Sequence, residues 1–142
     1  MSVFTPHELD YLTSQRLGRL ATVTPDGRPQ NAPVGFRYNA ELDVIDIGGR
    51  AMSQTRKFRN VQADPRVAFV VDDVLPPWQP RGVEIRGRAE TLPTGGRGMY
   101  GANYDMDDAI IRITPEQIIG WGLDQGETWN NNRKVKREAK EG

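Results

Sequence analysis

The chain has 142 residues, no cysteine and a formal net charge of zero. That length suits one domain with a core large enough to need neither disulfide nor metal. The missing cysteines remove disulfides, thiolate nucleophiles and thiolate metal sites, and the balanced charge removes any global field that would draw the chain to nucleic acid or to a membrane surface.

Thr5-Pro6-His7-Glu8 opens a helix: Thr5 is the N-cap, Pro6 the first helical position, and Glu8 closes a capping box. Leu9, Leu12 and Leu17 give it an apolar side, with Tyr11 nearby, and it is expected to run to about Gln15 and cover a sheet. His7, the only histidine, falls in the first helical turn, where exposure is expected; a metal site would need further ligands at suitable spacing. Residues 18–24 read as a strand. Pro25-Asp26-Gly27-Arg28 reads as a turn, since proline presets φ and glycine accepts positive φ. A second strand spans roughly 29–38, where Pro29 and Pro33 lack ladder donors and mark an edge or a bulge. A turn at 39–42 leads into Asp43-Val44-Ile45-Asp46-Ile47, whose polar–apolar alternation predicts a half-buried strand. Two consecutive hairpins predict an antiparallel meander.

The stretch from Gly48 to Val61 is the most informative in the chain. Gly48-Gly49 ends the strand and allows close approach to the backbone. Ser53 is the expected N-cap of a short helix ending near Gln62. A glycine turn, a polar helix start and a cluster of cations point to an anion site. Free N–H groups and the helix dipole would face a phosphate, with Arg50, Arg56 and Lys57 supplying charge. The competing reading is an amphipathic helix whose basic residues only face water.

After a stop at 63–66, Val67-Ala68-Phe69-Val70-Val71 reads as a continuous apolar strand buried on both faces, ended by Asp72 and Asp73. Paired carboxylates can hold a proton or a metal, but two acids closing a strand are more often solvated. Residues 74–81 read as a proline-stiffened loop carrying Trp78, either a rigid connector or a wall over a flat ligand or partner subunit. Residues 82–90 form a long alternating strand. Residues 92–107, with Tyr100, Asn103 and Tyr104, read as a loop or short helical turn. Residues 110–113 form a strand, 114–117 a turn, and 118–122 the last strand. The chain therefore divides into a domain over 1–123 and a polar tail over 124–142, without apolar period and frayed or partly helical. No apolar run approaches a membrane span and the N-terminus lacks a signal-peptide pattern, so a soluble, cytoplasmic protein is expected.

About six short strands with two helices, without strand–helix alternation, predict a mainly β fold, an antiparallel barrel. No serine–histidine or cysteine–histidine set, zinc spacing or Walker motif is present, and no side chain is an obvious general base, so no catalytic residue and no metal ligand is assigned. An enzyme of this kind would have a cofactor carry the reaction while the protein binds and orients. Hydride transfer suits such a site.

Residues 18–23, Pro25-Asp26-Gly27-Arg28-Pro29 and Pro33-Val34-Gly35-Phe36 resemble the pyridoxamine 5′-phosphate oxidase-like split barrels. Residues 55–61, Asp64-Pro65-Arg66-Val67 and Gly120-Trp121-Gly122 are similar to the actinobacterial branch that binds the deazaflavin coenzyme F-420. The resemblance covers roughly residues 5–123. It implies a six-stranded antiparallel split β-barrel of the FMN-binding type and a homodimer with the cofactor in a groove where two barrels meet. By position it implies that Asp46, Ile47, Gly48, Gly49 and Arg50 line the ring and ribityl chain. Ser53, Thr55, Arg56, Lys57 and Asn60 would hold the phosphate. Gln30, Asn31, Ala32, Pro33 and Val34 would pack along the ring, and Trp78 of the other subunit would cover it. The loop at 92–107 and the tail match no family pattern, so the resemblance does not carry a substrate.

Three functions follow. The first is an F-420-dependent oxidoreductase moving a hydride to or from a small organic substrate. The second is an FMN-binding oxidase or reductase of the same barrel class. The third is a flavin or deazaflavin carrier without turnover. F-420 adds an acidic polyglutamate tail, for which Arg37, Arg59, Arg81 and the basic tail residues are unspecific candidates. A nucleic-acid module built on 133–137 is disfavoured by interspersed acids and missing aromatics.

Overall fold

In the computed structural model, residues 1–99, 105–123 and 130–137 are described. Two helices, α1 (Pro6–Ser14) and α2 (Arg56–Ala63), accompany eight strands: β1 (Leu17–Val23), β2 (Pro29–Gly35), β3 (Arg37–Asn39), β4 (Val44–Ile47), β5 (Arg66–Leu75), β6 (Gln79–Leu92), β7 (Ile110–Trp121) and β8 (Asn130–Lys134). All pairings are antiparallel, in the order β2-β1-β5-β6-β7-β4-β3, with β8 on β7. The fold is mainly β, a curled half-barrel sheet with two helices of the split-barrel kind. No helix among the described residues is long and apolar enough to cross a membrane.

The core collects the inward residues of the long strands. Leu20, Ile45, Ile47, Phe69, Val71, Val83, Ile85, Ile111, Ile113 and Ile118 are all essentially buried. Each such side chain contributes roughly 1.5–3 kcal/mol by leaving water. Phe36 meets Phe69 edge to face at 5.2 Å between ring centroids. Helix α1 carries the complete expected capping box, with Thr5 Oγ1 accepting from Glu8 N and Glu8 Oε1 accepting from Thr5 N. It buries Tyr11 and Leu12; Leu17 instead opens β1 and is exposed.

Several expectations are corrected. The meander does not form. Hairpins β1–β2 and β3–β4 exist, but β2 and β3 stand at opposite ends of the sheet order because the strand breaks at Phe36, which enters the core. β2 is an edge strand, where Pro29 and Pro33 leave no ladder donor missing from a central position. β4 is buried at all four positions rather than alternating, because Asp46 has ionic partners inside the protein. β5 alternates instead of burying both faces: Val67, Phe69 and Val71 are buried while Ala68 and Val70 are partly exposed. Asp72 and Asp73 lie inside β5, where Asp72 pairs with Arg19 and Asp73 with Arg81 at 2.7 Å. The proline-rich segment is the tip of the β5–β6 hairpin, closed between Leu75 and Gln79.

The supposed turn at 114–117 is continuous strand. Pro115, which suggested a turn, sits at a register shift opposite Gly87. A Cβ on Gly87 would lie 2.2 Å from the Thr114 carbonyl oxygen, so only glycine fits that bulge. The length of β7 matters: its first half pairs with β4 and its second half with β8 along one side. The stretch read as a frayed tail thus supplies a strand, locked by Arg133, which donates to both carboxylate oxygens of buried Glu8 at 2.6 and 3.0 Å and to the Val3 carbonyl. Gly120 makes room for that pair, since a Cβ there would come within 2.7 Å of Glu8 Oε2.

Candidate functional site

Helix α2 forms at the end of a short 3-10 turn over Met52–Gln54. Thr55, not Ser53, is its N-cap: Thr55 Oγ1 accepts from Phe58 N at 3.3 Å and donates to the Met52 carbonyl at 2.7 Å. Ser53 lies one turn earlier, where its N–H and its hydroxyl both donate to Asp107 Oδ2, at 3.0 and 2.8 Å. These Ser53 bonds, backbone first, hold the Asp107 carboxyl below its usual range. The Asp107 N–H also donates to the Gly49 carbonyl at 3.1 Å, so the loop before β7 is tied to the glycine turn. Ala51, at φ 48°, takes the left-handed conformation in this turn, which neither Gly48 nor Gly49 does.

The first turn of α2 holds Arg56 and Lys57 and no acid. Cations there oppose the helix dipole, at a cost of about 0.3–1 kcal/mol each. Neither is paired with a carboxylate among the described residues. Burial along its stem pushes the Lys57 ammonium below the usual lysine value. Phe58 and Val61 anchor the helix in the core. Asn60, three residues after Lys57 and so on the same side, is buried against β1 and β2. Its Nδ2 donates to Thr22 Oγ1 at 3.0 Å and to Gln30 Oε1 at 2.9 Å, while its Oδ1 has no partner among the described residues.

Between α2 and the β1–β2 hairpin lies an open groove of about 430 Å³, lined by Leu20, Thr22, Gln30, Asn31, Ala32, Arg56 and Lys57. The register explains the lining: Thr22 faces Gln30 across the ladder and Leu20 faces Ala32, so all four share one sheet face. Five of the residues picked out in the sequence, Gln30, Asn31, Ala32, Arg56 and Lys57, therefore meet in one groove, with Asn60 directly beneath.

The others lie elsewhere. Asp46 is fully buried and held by Arg112 at 2.8 and 3.1 Å, by Asn39 at 3.0 Å and by Arg37 at 3.7 Å, so its carboxylate is consumed within the protein. Ile47 is core and Gly48 is buried, whereas Arg50 is exposed. Pro33 is exposed and Val34 buried on β2, beyond the groove lining. Trp78 is 74% exposed at the β5–β6 hairpin tip. It borders a different cavity of about 750 Å³, with His7, Tyr11 and Arg81. Tyr100, Asn103, Tyr104 and Trp129 lie outside the described residues. Thr22 and Asp107 were not found by sequence reading. The Thr22–Gln30 pairing was implicit in the hairpin register once the turn at 25–28 was placed; nothing local marks Asp107.

A cationic, acid-free helix start over an open groove fits a phosphate-bearing ligand, and the groove wall supplies polar and apolar area for a flat group beside it. Residues 4–122 match the family model described as pyridoxamine 5′-phosphate oxidase. The chain belongs to that family. It is 48% identical over 123 residues to a 5a,11a-dehydrotetracycline/5a,11a-dehydrooxytetracycline reductase of Streptomyces rimosus, covering 85% of this chain and 84% of the relative. Among solved structures, a conserved hypothetical protein of Mycobacterium tuberculosis superposes with a TM-score of 0.64 at 22% identity, over 88% of this chain and 92% of that one. A FAD-binding protein of Mesorhizobium loti gives 0.61 at 23% identity, over 81% and 92%. The structural likenesses show the shared fold; the family and the 48% relative support an oxidoreductase.

Proposed function

We propose that this protein is a reductase of the split-barrel class that uses coenzyme F-420, with its groove between α2 and the β1–β2 hairpin as the cofactor site. The observation that carries the reading is the first turn of α2, where Arg56 and Lys57 stand against the dipole of their own helix with no carboxylate partner among the described residues. Such an arrangement costs stability locally and is compensated by an anion. Arg56, Lys57 and the exposed amides of that turn would hold the phosphate, Gln30 and Asn31 would bound the ring side, and Thr55 would fix the helix start. Bound there, a reduced deazaflavin supplies a hydride. The protein binds it, orients it and keeps water from one face.

The Streptomyces relative, whose name identifies a dehydrotetracycline as what it reduces, supports the choice of substrate class. For this chain we propose a small, unsaturated, carbonyl-bearing organic molecule. Trp78, with Val74 and Leu75, presents an apolar hairpin tip. We propose that the protein is a homodimer in which that tip covers the groove of the other subunit.

FMN is the second reading, favoured by the FAD-binding structural neighbour and by a groove that any phosphate-bearing flavin would suit. Titrating the purified protein separately with F-420 and FMN decides between them. Tight F-420 binding, followed by oxidation of reduced F-420 on adding 5a,11a-dehydrotetracycline or a related enone, supports the first reading. Tight FMN binding without F-420 binding replaces it with the second, and turnover-free binding of either makes the protein a carrier.

A further inference from the structure

Asn60 and Gln30 form a hydrogen-bonded pair whose direction matters. Asn60 Nδ2 has two hydrogens, and both are used: one to Thr22 Oγ1 at 3.0 Å, one to Gln30 Oε1 at 2.9 Å. The Gln30 carbonyl oxygen is therefore turned toward Asn60. Gln30 Nε2 has no partner among the described residues, although the side chain lines the groove. The reverse arrangement, with both amides rotated, would let Asn60 Oδ1 accept from Thr22 and from Gln30. It would also bury two N–H donors without partners in place of a single unpaired acceptor. Unpaired buried N–H groups are the rarer and less tolerated of the two. Rotating Asn60 alone would set two amide oxygens against each other. The direction with Asn60 Nδ2 toward Gln30 is thus the favoured one, and it leaves Asn60 Oδ1 without a partner among the described residues.

We infer that Asn60 is a positioning residue that holds Gln30 with its N–H donors toward the groove, so that the ligand must present a hydrogen-bond acceptor there. The acceptor would be a carbonyl oxygen, a ring nitrogen or a phosphate oxygen. A ligand offering only a donor at that point would be discriminated against. This rests on the groove being the cofactor site, but the amide direction itself does not.

The test has two arms on the full-length protein. In the first, side-chain amide hydrogen exchange is followed by NMR without ligand. Gln30→Met should speed exchange of the Asn60 amide, because it removes that group's acceptor. Asn60→Ala should leave exchange of the Gln30 amide unchanged, because Gln30 donates nothing to Asn60. Faster Gln30 exchange in Asn60→Ala overturns the inference, as does unchanged Asn60 exchange in Gln30→Met. In the second arm, F-420 and FMN are titrated into both variants and the double variant. Each single change should weaken binding by about fivefold to tenfold, the scale of one neutral hydrogen bond, and the double should be no weaker than Gln30→Met alone. Losses that multiply overturn the coupling. If the wild-type protein binds neither probe, the cofactor reading fails, and the exchange arm still decides the direction of Gln30; if Asn60→Ala does not fold, Asn60→Ser takes its place in both arms.

Discussion

Lys57 shows how a single side chain carries both a local penalty and a function. It sits at the positive end of its own helix, burial lowers its ammonium pKa, and no carboxylate among the described residues pairs with it. Lys57→Ala and Arg56→Ala are each expected to weaken cofactor binding by about 1.5–3 kcal/mol, the scale of a charge-assisted hydrogen bond, with the fold retained; titration against F-420 and FMN measures it. The pH dependence has a definite sign. Affinity is constant while Lys57 is protonated in the free protein and falls as pH rises through its lowered pKa. The loss therefore begins at lower pH than an ordinary lysine, near 10.4, would give, and Lys57→Arg should abolish it below pH about 11. Asp46 is the contrasting case. Its carboxylate is fully buried and its partners are Arg112, Arg37 and Asn39, so its task is structural. Asp46→Asn should cost about 3 kcal/mol of stability by leaving Arg112 poorly paired, read as a lower urea midpoint at unchanged slope.

Among the elements, β8 changes the picture of the C-terminus most. Its five residues are polar, with no apolar residue in the strand. What holds it is the ladder to β7 and the Arg133 guanidinium on buried Glu8. Truncation before Asn130 should therefore destabilise the barrel rather than remove an idle tail. Arg133→Ala should cost about 2–3 kcal/mol, less than a wholly isolated buried charge would, because Glu8 keeps its capping bond to the Thr5 amide. Chemical denaturation of both variants beside the wild type checks this. Equal midpoints for all three would mean that β8 contributes no net stability.

For the molecule as a whole, the exposed Trp78 with Val74 and Leu75 at one hairpin tip is an apolar patch without a covering element among the described residues. A twofold dimer of standard interface size is expected in sedimentation at micromolar concentration, and a monomeric mass would remove the proposed covering of one groove by the other subunit. Trp78→Ala should leave the dimer intact, weaken cofactor binding and abolish most tryptophan quenching on binding. Trp121, half-buried against Gly82, is the main source of confusion, so Trp121→Phe and Trp129→Phe belong in the comparison. Quenching that survives in Trp78→Ala and vanishes in Trp121→Phe would make the hairpin tip a connector only.

The sequence by itself determined the features whose cause is local. The capping box at Thr5-Pro6-His7-Glu8, the turn at Pro25-Asp26-Gly27-Arg28 and the cationic start of α2 all depend on neighbours within four residues. Tertiary structure alone decided what depends on distant partners. Asp46 looked like the outward residue of an alternating strand, because alternation cannot reveal that Arg112 waits 66 residues further on. Pro115 looked like a turn, because the bulge that admits it is made by Gly87 on another strand. Residues 130–134 looked like a frayed tail, because their stability comes from the free side of β7 and from Glu8 at the opposite end of the chain. Ser53 looked like the helix cap, and Asp107 claims it from 54 residues away. The groove is the mixed case: its cations were legible in the sequence, while Thr22 came to line it, and Asn60 to brace Thr22 and Gln30 from behind, only through the packing of α2 on the β1–β2 hairpin, where side chains far apart in the chain meet at hydrogen-bonding distance.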